Sequence, residues 1–335
     1  MDQHQTIKSA DGVFRLRAYQ QADEPKVLAL WEAAFGKAAE PEVWRWKFHQ
    51  SPNGSPGLIC ETETGKAVAF YGGIRHQMNY RGDRIFAVHL VDNMSHPDYR
   101  QIISGRKGLF ILTVQNYFKS FTGPGKASFL YGYPGLKHFR LGKMLAGYQA
   151  LPGVSYLETG ISELKTPGWF SRAEIAEATD NTDFDALWQQ VEEHYPLAIV
   201  RGNAFVDWRY RRHSFKSYRL FTASRRGEVL AYVCYSLPGE GETAVLTDVV
   251  AAPDFRAFSR LLYSSAQQLS GLGVKQLQTW LPPHHFVTSY LERAGFRLKP
   301  EPLGITPTWK CFDDGLSQDF ANRNLYFTMG DGDLY

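Results

Sequence analysis

Several residues have the types that could do chemistry, and most are better explained otherwise. Asp92, within the apolar run 85–94, has the look of a general base. Asp248 holds the matching place in a second run, 244–250, and an acid present at both places reads more simply as a shared structural hydrogen bond. His284 and His285 are adjacent, so their side chains point apart and a metal site is not expected. Asp331-Gly332-Asp333 suggests calcium, but no full loop of ligands follows it. Cys60 and Cys234 fall in apolar segments. With Cys311 they make an odd, widely spaced set that suits reduced thiols, not a disulfide framework. The segments Trp44-Arg45-Trp46-Lys47-Phe48-His49 and Trp208-Arg209-Tyr210-Arg211-Arg212-His213 invite a nucleic-acid reading through base stacking. Their recurrence favours packing with a solvated basic face. No metal and no nucleic acid are therefore expected.

The elements that would position these residues occur twice. The aromatic-basic segments are offset by 208 − 44 = 164. Two hairpins, turning at Gly65-Lys66 and Gly227-Glu228 between β-branched and aromatic residues, are offset by 227 − 65 = 162. Asp92-x-x-x-x-Pro97-Asp98-Tyr99-Arg100 answers Asp248-x-x-x-x-Pro253-Asp254-Phe255-Arg256 at 253 − 97 = 156. Three landmarks in one order, with loops absorbing the drift, mark a duplicated unit. The first copy reads as a strand at 14–19, then a helix that starts after Asp23 and carries Val27, Leu28, Leu30, Trp31, Ala34 and Phe35 at helical spacing. The hairpin, a strand at 85–94, a glycine-containing loop, a helix at 109–121, a strand at 128–133 and a second helix follow. The second copy repeats this with a helix at 184–193, the hairpin, a strand at 244–250, a helix at 259–269, a strand at 276–281 and a helix ending at Gly295. Antiparallel strands first and a strand-helix-strand later give an α+β class with a mixed sheet and late parallel pairing. The expected domains are 1–151 and 152–335, the second carrying the C-terminal tail.

Bulk properties agree with two such cores. The chain has 335 residues, 44% hydrophobic and 21% charged, with a formal net charge of +3 that implies no nucleic acid by itself. No apolar run approaches the ~20 residues of a membrane span, and the start lacks the pattern of a signal peptide. A cytoplasmic protein without membrane association is expected.

The segments Val91-Asp92-Asn93-Met94-Ser95-His96-Pro97-Asp98-Tyr99-Arg100 and Trp44-Arg45-Trp46-Lys47-Phe48, with Gly108-Leu109-Phe110 and Leu141-Gly142, resemble the GNAT (GCN5-related) N-acetyltransferases. The likeness is to the tandem type, in which an active first copy is fused to a degenerate second. It covers about residues 14–150 well and 184–298 more loosely. The resemblance implies two tandem GNAT-like acyl-CoA N-acyltransferase domains. It also implies acetyl-CoA as co-substrate and a primary amine of a small molecule or peptide as acceptor. In the family a glycine-rich loop opening a helix binds the coenzyme pyrophosphate through bare N–H groups and the helix dipole. Here that implies Gly105, Arg106, Lys107, Gly108, Leu109 and Phe110, although the spacing departs from the family's Arg/Gln-x-x-Gly-x-Gly/Ala by a short insertion. The oxyanion donor is implied at a backbone N–H of Met94, Ser95 or His96. Tyr133 and His138 fall close to the expected thioester, and histidine is a residue type suited to proton transfer. Some members use their own terminal carboxylate as base, a role that would fall to Tyr335. The second copy has no glycine in 253–260, so its coenzyme site is expected to be lost. It nevertheless keeps Tyr290 where the family carries an acid tyrosine, and the first copy has Phe139-Arg140-Leu141-Gly142 there. Two further readings stay open: a transferase of the same type using another acyl donor, and a non-catalytic binding module.

Overall fold

The computed structural model describes residues 5–9, 12–100, 108–168, 172–213, 215–237 and 239–333. The chain forms two compact units, neither contiguous in sequence. One comprises Met1–Gln77, Phe86–Ala150 and Thr308–Leu316, the other Met78–Ile85, Leu151–Pro307 and Ser317–Tyr335.

In chain order the elements that begin in the first half are β1 (Gln5–Ser9), β2 (Gly12–Ala18), α1 (Glu24–Phe35), α2 (Pro41–Phe48), β3 (Gly57–Thr62), β4 (Ala67–Tyr80), β5 (Asp83–Ser95), α3 (Leu109–Phe121), β6 (Ala127–Gly132), α4 (Leu136–Ala146) and β7 (Gln149–Ala150). Those that follow are β8 (Ser155–Gly160), β9 (Glu174–Glu177), α5 (Phe184–Val191), β10 (Leu197–Ile199), α6 (Asn203–Val206), β11 (Tyr218–Arg225), β12 (Glu228–Ser236), β13 (Thr243–Ala251), α7 (Phe255–Ser270), β14 (Gln276–Leu281), α8 (Phe286–Ala294), β15 (Arg297–Lys299), β16 (Thr308–Cys311) and α9 (Gln318–Asn324). A π-helical turn, Asp207–Arg211, extends α6.

The first unit's sheet runs β1-β2-β3-β4-β5-β6-β16-β7. Strands β3 and β4 are apolar on both sides because helices cover both faces. On one face Trp44 and Phe48 of α2 pack on Phe70, with ring centroids 5.2 and 5.4 Å away. On the other, Val114 and Tyr117 of α3 close over Leu58, Tyr71, Val88 and Leu130, each such burial worth about 1.5–3 kcal/mol. Gly73 is required where β4 meets β5, since a Cβ there would lie 2.3 Å from the His89 carbonyl oxygen. The second sheet runs β15-β8-β14-β13-β12-β11-β9.

The duplication is visible in detail. Both hairpin turns place glycine in the left-handed region, Gly65 at φ 81° and Gly227 at φ 84°. Both hairpins carry a bulge just beyond the turn, at Val68 and at Leu230. The bulges are 230 − 68 = 162 apart, the glycine offset. Each unit has a parallel strand pair where expected, β5 with β6 and β13 with β14. The strand beyond it is not predicted by the repeat: β6 is flanked by β16, from near the chain's end, and β14 by β8.

Two local expectations change. Asp23 precedes α1 but caps nothing in it. Its carboxylate accepts from the Gln20 N–H and from Arg17, 2.6–3.0 Å away, an ion pair that turns it from the helix. The basic face of the aromatic-basic segments is not solvated at Lys47 or Arg209, both of which are buried. The C-terminal segment 325–332 is buried in the second unit, with a 3₁₀ turn at Met329–Asp331. Among the described residues no helix is long and apolar enough to cross a membrane.

Candidate functional site

In the first unit β5 and β6 run in parallel register from Phe86↔Ala127 to His89↔Tyr131 and then part. Strand β5 continues to Ser95, while β6 ends at Gly132. Beyond that pair β5 is irregular. Asp92 sits at φ 55°, a left-handed conformation rare for a residue with a Cβ. It is held there by the Lys47 ammonium, 3.1 Å from each carboxylate oxygen, with both side chains under 10% exposed. Beyond this kink the Asn93 carboxamide oxygen accepts the Gly72 N–H at 2.8 Å, a side chain standing in for a ladder bond to β4. The His96 N–H then returns to the Val68 carbonyl at 2.9 Å. Because N–H groups alternate sides along a strand, the Ser95 N–H faces the edge that β6 has left.

The sequence-derived residues distribute unevenly around this opening. Met94 is buried in β5. Ser95 ends the strand, and His96 begins the turn after it. Burial and the nearby Lys66 ammonium hold the His96 imidazole below its usual range, and Nδ1 accepts the Asp98 N–H at 3.3 Å. Gly108, Leu109 and Phe110 form the start of α3, where the first helical bond runs from the Leu112 N–H to the Gly108 carbonyl at 2.9 Å. Gly105, Arg106 and Lys107 lie outside the described residues, as does Tyr335. Tyr133 follows β6 directly and packs on His89 and Tyr131, at 5.8 and 6.0 Å between centroids. His138 stands apart from that cluster, exposed on α4.

Two residues at the opening escaped sequence reasoning. His89 is buried in the last β5–β6 pair and stacks on Tyr131 at 5.2 Å. Val88 and Leu90 face the core under α3, so alternation sends His89 to the opposite face. The available signal was a histidine inside an otherwise apolar strand. Lys47 gave no such signal, since its partner lies 45 residues away.

The second unit has the same parting of strands, with pairing ending at Val245↔Gln278, but the chain's own tail lies against it. The Tyr326 hydroxyl donates to the Val249 carbonyl at 2.6 Å, Thr328 Oγ1 donates to Asp248 at 3.0 Å, and Phe327 packs on Trp280. A Cβ on Gly330 would meet the Thr247 carbonyl at 3.1 Å and the Tyr210 hydroxyl closer still. Helix α7 starts at once after Asp254, whose carboxylate accepts the Arg256 and Ala257 N–H groups at 3.0 Å. Its N-terminus thus already holds an anion. The expected pairing of Asp92 and Asp248 is realised as ion pairs with unlike partners, Lys47 from α2 and Arg201 from the loop before α6. Tyr290 packs on Phe255 and Phe258 in this unit. No metal-binding cluster occurs among the described residues.

No protein-family model and no curated protein matches the sequence. Solved structures do. A GCN5-related N-acetyltransferase from Anabaena variabilis ATCC 29413 is similar at TM-score 0.66 and 12% identity, over 90% of this chain and 73% of that one. One from Kribbella flavida is similar at 0.60 and 15%, over 90% and 71%. Saccharomyces cerevisiae N-myristoyltransferase, with bound myristoyl-CoA, is similar at 0.57 and 10%, over 93% and 85%. At such identities the likeness concerns the fold. The chain has the mixed α+β fold of the GCN5-related N-acetyltransferases.

Proposed function

We propose that the chain is an acetyl-CoA-dependent N-acyltransferase that acts, through its first unit, on a primary amine of a small molecule or peptide. The observation that carries this is the parting of β5 from β6 after the His89↔Tyr131 pair, in a unit of this fold. A strand edge without a partner offers backbone N–H and C=O groups to an extended acyl-carrying arm, much as an added strand would. Ser95, between Met94 and His96, would supply the N–H that meets the oxygen of the tetrahedral intermediate. The bare N–H groups at Gly108, Leu109 and Phe110, with the helix dipole and the preceding Gly105, Arg106 and Lys107, would meet the pyrophosphate. The amine nitrogen attacks the thioester carbon, the C–S bond breaks, and the thiolate takes a proton. Tyr133, next to the opening, is the proposed donor of that proton. His138 would accept the proton of the amine.

Titration calorimetry with acetyl-CoA tests the assignment. The chain is expected to bind it, and Gly108→Trp to weaken binding at least tenfold by filling the start of α3. An unchanged affinity in Gly108→Trp would move the donor site elsewhere.

A further inference from the structure

Helix α4 and helix α8 follow the parted strand in their respective units, yet they are packed differently. Helix α8 buries Val287, Thr288, Leu291 and Ala294. Helix α4 buries none of its residues. Its half-covered side carries Phe139, Gly142, Leu145 and Ala146, at helical spacing. The other side carries Leu136, Leu141 and Met144, exposed by 49%, 50% and 68%. Lys137, Arg140 and Lys143 stand between them, and the helix contains no acidic residue. Among the described residues no ion pair engages these three cations. The face begins at Leu136, five residues past the last β5–β6 pair, at the rim of the opening.

We infer that this face docks a small acidic protein that carries the acyl group as a thioester on a flexible arm, an acyl carrier, so that the donor reaches the opening attached to a partner. The inference rests on the acyltransferase reading above and names its donor. Three exposed apolar side chains interleaved with cations combine apolar anchors with charge that steers association, as protein interfaces do. A membrane-surface helix instead segregates its apolar residues on one face and its cations on the other. Here cations and apolar residues alternate around the same arc, which favours a protein surface of opposite charge. The group balance is that of any thioester donor. The amine nitrogen forms the new C–N bond, the C–S bond breaks, and the carrier departs as a free thiol that keeps the proton the amine has lost.

The test compares two donors on full-length chain: acetyl-CoA, and an acetylated acyl carrier protein, with free thiol released by each as the readout. Wild type is expected to use the carrier at a KM at least tenfold below that for acetyl-CoA. Lys137→Glu/Arg140→Glu/Lys143→Glu should raise the carrier KM at least tenfold and leave turnover of acetyl-CoA within twofold. Leu136→Ser/Met144→Ser should act in the same direction without changing charge. If wild type uses acetyl-CoA and ignores the carrier, the inference falls and the acyltransferase reading stands. If neither donor is used, both fall. Binding of wild type, but not the charge variant, to phosphatidylserine vesicles, with no discrimination between donors, would replace the carrier by a membrane and overturn the inference.

Discussion

At the scale of single residues, the second unit concentrates charge where there is no water to share it. Arg201 is fully buried between Asp248, 3.0 Å from Nε, and Asp331, 2.6 Å from Nη2. One guanidinium serves two carboxylates, and burial together with the Asp248 charge outweighs Arg201 to push Asp331 up to about 6. His285 moves the other way. Burial holds its imidazole down to about 3, and its two nitrogens meet the Val287 N–H and the His194 carbonyl, as a neutral ring does. The two groups pull stability in opposite directions over one pH window. Unfolded Asp331 loses its proton near 4 and folded Asp331 near 6, so its contribution falls as pH rises between them. Unfolded His285 gains its proton below about 6.5 and the folded ring only near 3, so its contribution rises over that range. Asp331→Asn is therefore expected to steepen the rise of the urea midpoint from pH 4 to 6, and His285→Asn to flatten or reverse it. Parallel curves for wild type and Asp331→Asn would refute the assignment.

At the scale of elements, the kink in β5 belongs to the part of the strand beyond its ladder with β6. The ladder with β6 ends at His89, and the left-handed turn at Asp92 follows three residues later. The Lys47–Asp92 pair joins α2 to that turn, so removing one partner leaves a buried charge at a cost of about 3–5 kcal/mol. Lys47→Met and Asp92→Asn are each expected to lower unfolding free energy by that order, and the double variant to recover part of the loss. Asp92→Val should be worse than Asp92→Asn, because asparagine tolerates φ 55° and a β-branched residue does not. Denaturant titration of the four variants checks both orders. Full additivity of the single changes would show that the pair does not act as a unit.

At the scale of the molecule, the C-terminal segment completes both units. Strand β16 lies between β6 and β7 in the first, and 325–332 fills the second. Arg209, fully buried, donates to the Gly330 and Gly332 carbonyls at 2.8 and 3.0 Å, and Arg201 to Asp331. Truncation after Asn324 would remove the Gly330 and Gly332 carbonyls from Arg209 and the Asp331 carboxylate from Arg201, and expose the faces of β13 and β14 beneath them. It is expected to abolish cooperative unfolding of the second unit, seen as loss of its tryptophan signal, while truncation after Gly332 should keep it. A chain ending at Asn324 that unfolds with the wild-type midpoint would show the segment to be dispensable.

What the sequence determined by itself is what local patterning controls. Helix α3, strand β14 and the end of helix α8 were legible to within a residue, since apolar periodicity, the prolines after Leu281 and a glycine after Ala294 mark them. The duplication and its parallel pairs were legible because two copies of one fold keep the same turns and bulges. Tertiary structure alone decided what depends on residues far apart in the chain. The spacing from Lys47 to Asp92 carries no periodic signal, nor does the choice of Arg201 over a residue of the Trp208 segment as partner for Asp248. The strand beside β6 comes from 308–311 because the repeat constrains each copy's own order and not which strand covers its last edge. The tail's apolar anchors were visible in Leu325, Tyr326 and Phe327. Their destination was set by which unit had an unfilled parting between strands and buried guanidinium groups to receive the carbonyls.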